Sequence, residues 1–438
     1  VTGGIVVTFL TLFLGLVSGA QEIALDVSGP VTMVELRLGD QVLATLDAPP
    51  WVARCNLGDG LRPGRLIAIG RDRTGGEISR AEQLINVPTV RAAVVVVLDR
   101  RPDGDPFQAR VQWVGPEFRE PRKTSAMLDG ERVAVSPDGR IELGGIALDL
   151  PHVLDVELEF SPEVTAREQL VFGHERLGEE VVGITAVPVV VDNGELPTPE
   201  QLGGWFRSNG TDLGVVAVER GPAQLVVVRD QGLDSCFAQL ELDKKKERSR
   251  KERSRRKPRL RAELDDDLHV RFMTPVALTT ESLTQPAMLF PISDAKACQG
   301  EDLFKVVGRA RYPEHAFGPR MLADSVAVAA LRASNGNRRR AVVLLLGTEE
   351  KDRSRYQPDA VRQFLADLHV PLHVWRLGDL SDTEWGDAVP VTSYEAFVAA
   401  VQDLGQDLAR QRIVWVTGRH LPNEIELGPK AQGIALVR

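Results

Sequence analysis

The chain has 438 residues, a formal charge of −9 and three cysteines, Cys55, Cys236 and Cys298, which lie far apart and show no CxxC spacing. That length suits two or three domains with real cores, and the acidic balance argues against nucleic acid or an anionic membrane as a partner of the whole molecule. The cysteine spacing excludes a zinc ribbon, a thioredoxin-type pair and a disulfide-dense scaffold, while leaving one bridge open.

Residues 5–17, IVVTFLTLFLGLV, form a short apolar run ahead of Ser18-Gly19-Ala20, a small-residue site of the signal-peptidase kind. The pattern predicts an exported, periplasmic or secreted protein with residues 1–20 as its signal peptide, although no positive charge leads the run. A membrane anchor is the alternative, but the run falls short of the roughly 20 apolar residues of a span. A buried core helix is the third reading.

Residues 21–88 carry the signals of a small antiparallel sandwich. Val34, Leu36 and Leu38 alternate with Glu35 and Arg37, and Gly39-Asp40, Pro49-Pro50, Gly58-Asp59-Gly60 and Gly75-Gly76 punctuate short runs. Asp26-Val27-Ser28 resembles the start of a DxSxS metal loop, but Pro30 replaces the second serine and a strand edge is the better account. Residues 89–191 repeat the theme. Leu154, Val156, Leu158 and Phe160 alternate with Asp155, Glu157 and Glu159, which predicts a strand with one face in water. The two regions are distant copies: GDQVLATL is answered by DGERVAVS, and SRAEQLIN by AREQLVFG. Trp51 and Trp113 read as core aromatics.

A linker rich in Asp, Asn, Gly and Pro opens residues 192–212, and 213–438 form the last domain, with strands alternating with amphipathic helices. Leu225–Arg229 is an apolar strand entering Asp230, and Leu268–Met273 and Ala287–Ile292 are two further runs. Met321–Ala333 reads as a helix with Leu322, Val326, Ala329 and Ala333 on one stripe. Ala341–Leu346 is a central strand, Pro358 starts a helix with Val361, Phe364, Leu365 and Leu368 in register, and Leu372–Leu377 returns parallel after Pro371. Thr392 and Glu395 form a capping box ahead of Phe397, Val401, Leu404 and Leu408, and Ile413–Val416 adds one more strand to the same sheet.

Between them, residues 244–261 hold twelve Lys or Arg against two Glu, a net +10 that leaves −19 for the rest of the chain. Such a run predicts a solvated excursion or a charged helix extension that buries almost nothing. No aromatic is interleaved and acids at Asp265–Asp267 follow, which disfavours nucleic-acid or heparin-like binding.

The strings AQLVVVRD (223–230), LADSVAVAALRA (322–333), RRRAVVLLL (338–346) and FLADLHVPLHVW (364–375) resemble the bacterial von Willebrand factor A-related family of the acidobacterial type. The resemblance covers the last half of the chain and implies an α/β doubly wound (Rossmann-like) von Willebrand factor A-type domain after two all-β immunoglobulin-like sandwiches. It also implies a magnesium site built from a DxSxS loop, a threonine and a later aspartate. Here the first loop reads Asp230-Gln231-Gly232-Leu233-Asp234, without its serines. The second, Phe317-Gly318-Pro319-Arg320, has no threonine, and Leu346-Gly347-Thr348-Glu349-Glu350 lacks the aspartate. Asp230 alone matches, and Arg320 would compete with a metal by pointing inward; Glu349 or Glu350 is the one candidate replacement.

Two other patterns are decoys. Asp379-Leu380-Ser381-Asp382-Thr383 has the right spacing after the wrong strand, and Pro371 separates His369 from His373, which prevents one regular helical face. HExxH, GxSxG and P-loop strings are missing, so no catalytic, cofactor-binding or metal-binding residue is assigned. The sequence therefore predicts a multidomain, non-enzymatic protein that binds a protein partner or assembles, with no cofactor. The alternatives are a nucleotide-binding or hydrolytic enzyme on the doubly wound sheet, and a polyanion binder acting through the basic run.

Overall fold

The computed structural model describes residues 6–13, 15–87, 93–101, 106–114, 120–144, 152–161, 164–172, 184–192, 196, 198–253, 264, 268–276, 290, 292–293, 296–297, 303–309, 319–335, 338–347, 352–377 and 384–438. The architecture is multidomain and rich in β structure, with antiparallel immunoglobulin-like sandwiches and one mainly parallel sheet.

In the first module, inward residues at alternate positions force the strands together: Ile23 and Leu25, Val34 and Leu36, Ala53 and Cys55 are all buried. They lie on β2 (Ala20–Ser28), β3 (Met33–Leu38) and β5 (Val52–Asn56); β1 (Val6–Phe9), β4 (Gln41–Leu46), β6 (Gly64–Arg71) and β7 (Glu77–Ile85) complete the sandwich. Its sheets are ordered β1-β2-β5 and β4-β3-β6-β7. Trp51 packs partly buried against this core.

The apolar run expected to be a signal peptide is part of this sandwich. Val6–Phe9 pairs with Leu25–Ser28, Val7, Phe9 and Phe13 are buried, and the Val7 and Phe13 N–H groups donate to Ser79 Oγ and Gln83 Oε1. Ser18, in the expected cleavage site, is 4% exposed. A short apolar run has the same composition whether it is a leader or a strand, so composition alone does not separate the two. Asp26 and Ser28 lie on β2, where Asp26 faces Thr8 across the ladder. No helix among the described residues is long and apolar enough to cross a membrane.

The second module consists of β8 (Ala93–Arg100), β9 (Pro106–Val114), β10 (Lys123–Leu128), β11 (Glu131–Val133), β12 (Arg140–Glu142), β13 (His152–Ser161) and β14 (Val164–Phe172). Its sheets, β12-β9-β8 and β11-β10-β13-β14, repeat the order of the first module strand for strand. The paired strings found in the sequence fall on equivalent elements: the turn and fourth strand, then the seventh strand. In the second copy the turn is Asp129-Gly130, both with positive φ (53° and 87°), as a two-residue type I′ hairpin requires.

A third sandwich was not expected. It contains β15 (Ile184–Val191), β16 (Phe206–Ser208), β17 (Thr211–Asp212) and β18 (Val215–Glu219). The α/β unit is inserted after β18. That unit contains β19 (Ala223–Arg229), α1 (Asp234–Arg253), β20 (Leu268–Met273), β21 (Lys296–Ala297), α2 (Leu303–Arg309), α3 (Leu322–Ser334), β22 (Arg339–Leu346), α4 (Pro358–Asp367), β23 (Leu372–Arg376), β24 (Val389–Pro390) and α5 (Tyr394–Arg410). The chain then returns to the third sandwich with β25 (Gln411–Thr417), β26 (Ile425–Leu427) and β27 (Ile434–Leu436), giving sheets β18-β25-β15-β27 and β17-β16-β26. Ile184–Val191 therefore pairs with Gln411–Thr417, so the strand at Ile413–Val416 belongs to this sandwich and not to the doubly wound sheet.

The large sheet runs β21-β20-β19-β22-β23-β24, parallel except for β21 at its edge. Helices α1, α2 and α5 cover one face and α3 and α4 the other, and every residue of β19 and β22 is buried. Pro358 begins α4 as expected, whereas α5 is capped by Ser393, whose Oγ accepts the Ala396 N–H at 3.1 Å, rather than by Thr392. The basic run continues α1 as far as Arg253, and its remainder lies outside the described residues.

The acidic face of β13 is not in water. Arg167 pairs with Asp155 inside the module, whereas Arg338 with Glu157 and Arg271 with Glu159 cross to the α/β unit, so the second module docks onto the amino ends of the parallel strands through these last two buried ion pairs. Burial pushes the Glu157 carboxyl up, and Arg338, Arg167 and Arg271 outweigh it, holding the group below its ordinary value. The neighbouring arginines knit the insert to the third sandwich. Arg339 donates to Leu408 O at the end of α5 and to Gly221 O, and the Gln411 amide pairs with both backbone groups of Arg340.

Candidate functional site

In an open parallel sheet, ligands bind beyond the carboxyl ends of the strands where the order reverses, which here is the gap between β19 and β22. Asp230 sits there, fully buried at the end of β19, its N–H bonded to Leu345 O at 3.0 Å.

Its carboxylate is taken by Arg320. The guanidinium Nε lies 2.8 Å from Oδ1 and Nη2 lies 3.0 Å from Oδ2, a bidentate fork that leaves Arg320 only 8% exposed. The Gln231 N–H donates to Oδ1 as well. Leu233 lies beside the pair, against the end of β22: it is 1% exposed, and a Cβ placed on Gly347 would come within 1.8 Å of its Cδ2. Gly347 is thus required to let Leu233 lie over the end of β22. Asp234, 89% exposed, turns away to pair with Arg229.

The loop after β22 is bound to the start of α3. Asp352 accepts the Leu322 and Ala323 N–H groups at 2.9 and 3.0 Å, Ser354 Oγ accepts Asp324 N–H, and Arg353 N–H donates to Arg320 O. Asp324 returns the contact by accepting the Arg355 and Tyr356 N–H groups; burial pushes its pKa up despite these donors.

The magnesium shell implied by the family resemblance does not fit these residues. Both oxygens of the one matching carboxylate face a guanidinium, which supplies the positive charge in a position where a cation would have to displace it. No cluster of three or more His, Cys, Asp or Glu suited to a metal occurs among the described residues. Phe317, Gly318, Thr348, Glu349, Glu350 and the decoy at 379–383 lie outside those residues. His369 and His373 do not converge. His369 Nε2 meets Pro422 O at 2.9 Å and His373 Nε2 lies 3.9 Å from Asp407; burial depresses both pKa values, that of His369 to about 4. Cys55 and Cys236 are free thiols, and Cys298 lies outside the described residues.

Sequence reasoning missed the carboxylates that dock the second module. Their signal was present as an acidic strand face in a chain whose central strand opens with three arginines.

No protein-family model and no curated protein matches the chain. Among solved structures it is similar to the fibronectin(III)-like modules of Clostridium thermocellum CbhA, at 17% identity over 40% of this chain and 97% of that one, with a TM-score of 0.16. The central fibronectin-III array of RIM-binding protein matches at 12% identity over 44% and 81%, with a TM-score of 0.19. Proximal thread matrix protein 1 from the mussel byssus matches at 10% identity over 49% and 48%, with a TM-score of 0.24. At such TM-scores these likenesses carry no argument.

Proposed function

We propose that the chain is a non-enzymatic protein-binding or assembly protein of the extracytoplasmic space, whose α/β unit is a von Willebrand factor A-like domain that engages its protein partner without metal. The observation that carries this reading is the bidentate Arg320–Asp230 pair in the crevice where such a domain would hold its ion. Leu233, packed against Gly347, adds an apolar side chain beside the pair. Binding then falls to the surface of the surrounding strand-end loops. β-Sandwich modules are a common build of cell-surface domains, which supports a location outside the cytoplasm. Fractionation of native cells tests that part, and a purely cytoplasmic product would sink it.

The metal-free reading is tested by calorimetric titration of the full chain with Mg²⁺ and Mn²⁺. The expected result is no saturable heat at micromolar to low millimolar metal. Saturable uptake at one site, abolished by Asp230→Ala, overturns the reading.

A further inference from the structure

The first module reaches the loop that borders the crevice. Its β1–β2 and β5–β6 connections are held side by side, with Gly19 N–H donating to Gly58 O and Leu57 N–H to Gly19 O. From this paired tip the Ser18 carbonyl accepts Arg355 Nη2 at 2.9 Å, and the Ser18 hydroxyl lies 3.4 Å from Tyr356 Oη. Asn423 Nδ2 adds a contact to Pro63 O.

Leu61 is the decisive residue. It belongs to the first module by chain, yet it is 1% exposed and joins the apolar cluster built by α3 and α4, which also holds Tyr356, Val361, Leu365 and Trp385, and not its own module's core. Leu16 joins it, partly buried. All seven strands of the module pair among themselves. Withdrawing the module therefore breaks no β ladder to the rest of the described chain.

We propose that the face formed by Arg355, Tyr356 and the α3–α4 pocket is a receptor for a β-sandwich loop, filled in cis by the chain's own first module and open in trans to the same loop of a second copy. It rests on the reading above only in taking the strand-end loops as the binding face. The seated loop defines the chemistry of the occupant: a leucine-sized apolar side chain flanked by a backbone carbonyl, that of Ser18, which Gln21 Nε2 also holds from within the module. A second copy carries that loop by construction. Trans docking makes the contacts already seen in cis, and what opposes it is the tether, which gives the cis module an effective concentration of about millimolar. Reciprocal exchange closes a two-fold dimer, whereas one-way exchange builds open chains, which suits an assembly protein.

The test uses two full-length variants. Leu61→Asp disables the loop and leaves the receptor intact, because a carboxylate will not enter the apolar pocket. Arg355→Glu disables the receptor, by setting a carboxylate against the Ser18 carbonyl, and leaves the loop intact; residue 355 is exposed, so folding is spared. Neither variant can complete a contact with itself. An equimolar mixture at about 1 mM, matching the tether's effective concentration, restores one trans contact. Analytical ultracentrifugation should show each variant alone as a monomer and the mixture as a heterodimer at least tenfold tighter than either self-association. Trypsin cleavage after Arg355 should rise about tenfold in Leu61→Asp and fall again when Arg355→Glu is added.

Leu61→Met, which keeps the apolar volume, should behave as the parent chain. Should Leu61→Asp fail to fold by circular dichroism, Leu16→Asp takes its place at a partly exposed position. A mixture that stays monomeric, or no rise in cleavage in a folded loop variant, overturns the proposal. Saturable metal uptake at Asp230 would sink the metal-free reading and leave this complementation standing; failed complementation would do the reverse.

Discussion

Removing the Arg320 guanidinium while leaving Asp230 in place should be among the most damaging single changes in the α/β unit. In Arg320→Met the fully buried carboxylate keeps, among the described residues, only the Gln231 N–H as a side-chain hydrogen-bond partner. Breaking one half of a buried ion pair costs about 3–5 kcal/mol, because the other charge stays desolvated. For a unit of this size about 1 kcal/mol corresponds to 2–4 °C, so its melting should fall by roughly 6–20 °C. Removing both charges as Asp230→Leu with Arg320→Met should recover most of the loss, since an apolar replacement of a buried pair is often neutral. The whole chain is too large for one two-state transition, so the assay is hydrogen exchange at the β19 and β22 amides, read as a double-mutant cycle. The reasoning is refuted if Arg320→Met changes those opening energies by less than about 0.5 kcal/mol, a loss typical of a surface change. A double variant as damaged as the worse single one refutes it too.

Glu219, 9% exposed between the second module and the third sandwich, has its pKa raised to about 7, by burial first and by the Asp155 charge second, with Arg167 opposing. Its folded form holds the proton more tightly than an unfolded carboxyl at about 4.3, so stability should fall by up to roughly 3 kcal/mol as pH rises from about 4.3 through 7, then level off. Glu219→Gln should flatten that slope in urea midpoints taken between pH 5 and 8; an unchanged slope counts against it. Among the described residues of the basic run Lys244 is buried, with Nζ 4.6 Å from the Phe304 ring centre and 4.9 Å from that of Tyr394. Lys244→Ala should lower the hydrogen-exchange opening energies of the α/β unit by about 1–2 kcal/mol, while deleting 245–261 should change them by less than about 0.5 kcal/mol; the opposite ranking refutes this.

The strand-helix-strand unit from Arg339 to Arg376 was legible because its apolar run, its stripe at helical spacing and its prolines each pointed to the same elements. The kinship of the first two sandwiches was legible too, since the repeated strings sit on equivalent strands. The insertion was not. An apolar run such as Ile413–Val416 reads alike in a parallel or an antiparallel sheet, and its partner at Ile184–Val191 lies more than 200 residues away. Nor does alternation say what covers a strand's polar face: Asp155, Glu157 and Glu159 have the pattern of a solvated edge and bind arginines. At the site, Arg320 was visible in the loop strings as a positive charge pointing inward toward Asp230, and the structure pairs the two. Leu233 over Gly347 was not, because a glycine at a strand end has many other causes.

The two neighbours of the α/β unit hold it by different chemistry, and that difference decides which can leave. At the amino ends of the strands the second module contributes Glu157 and Glu159, paired with Arg338 and Arg271 whose side chains are only 8% and 7% exposed. Separating these would strand buried charges on both sides, and salt screens such pairs little. At the carboxyl ends the first module offers an apolar tip and a few hydrogen bonds from exposed or neutral groups, all of which water can replace on withdrawal. The first module is therefore the detachable one. Its departure would not pass unnoticed at the crevice. Arg355 and Tyr356, which receive the tip, are tied by their own N–H groups to Asp324, and the same loop caps α3 through Asp352 and holds Arg320 through the Arg353 N–H. A short, continuous set of hydrogen bonds thus joins the seat of the first module to the guanidinium on Asp230, so occupancy of that seat and the rigidity of the crevice are expected to change together.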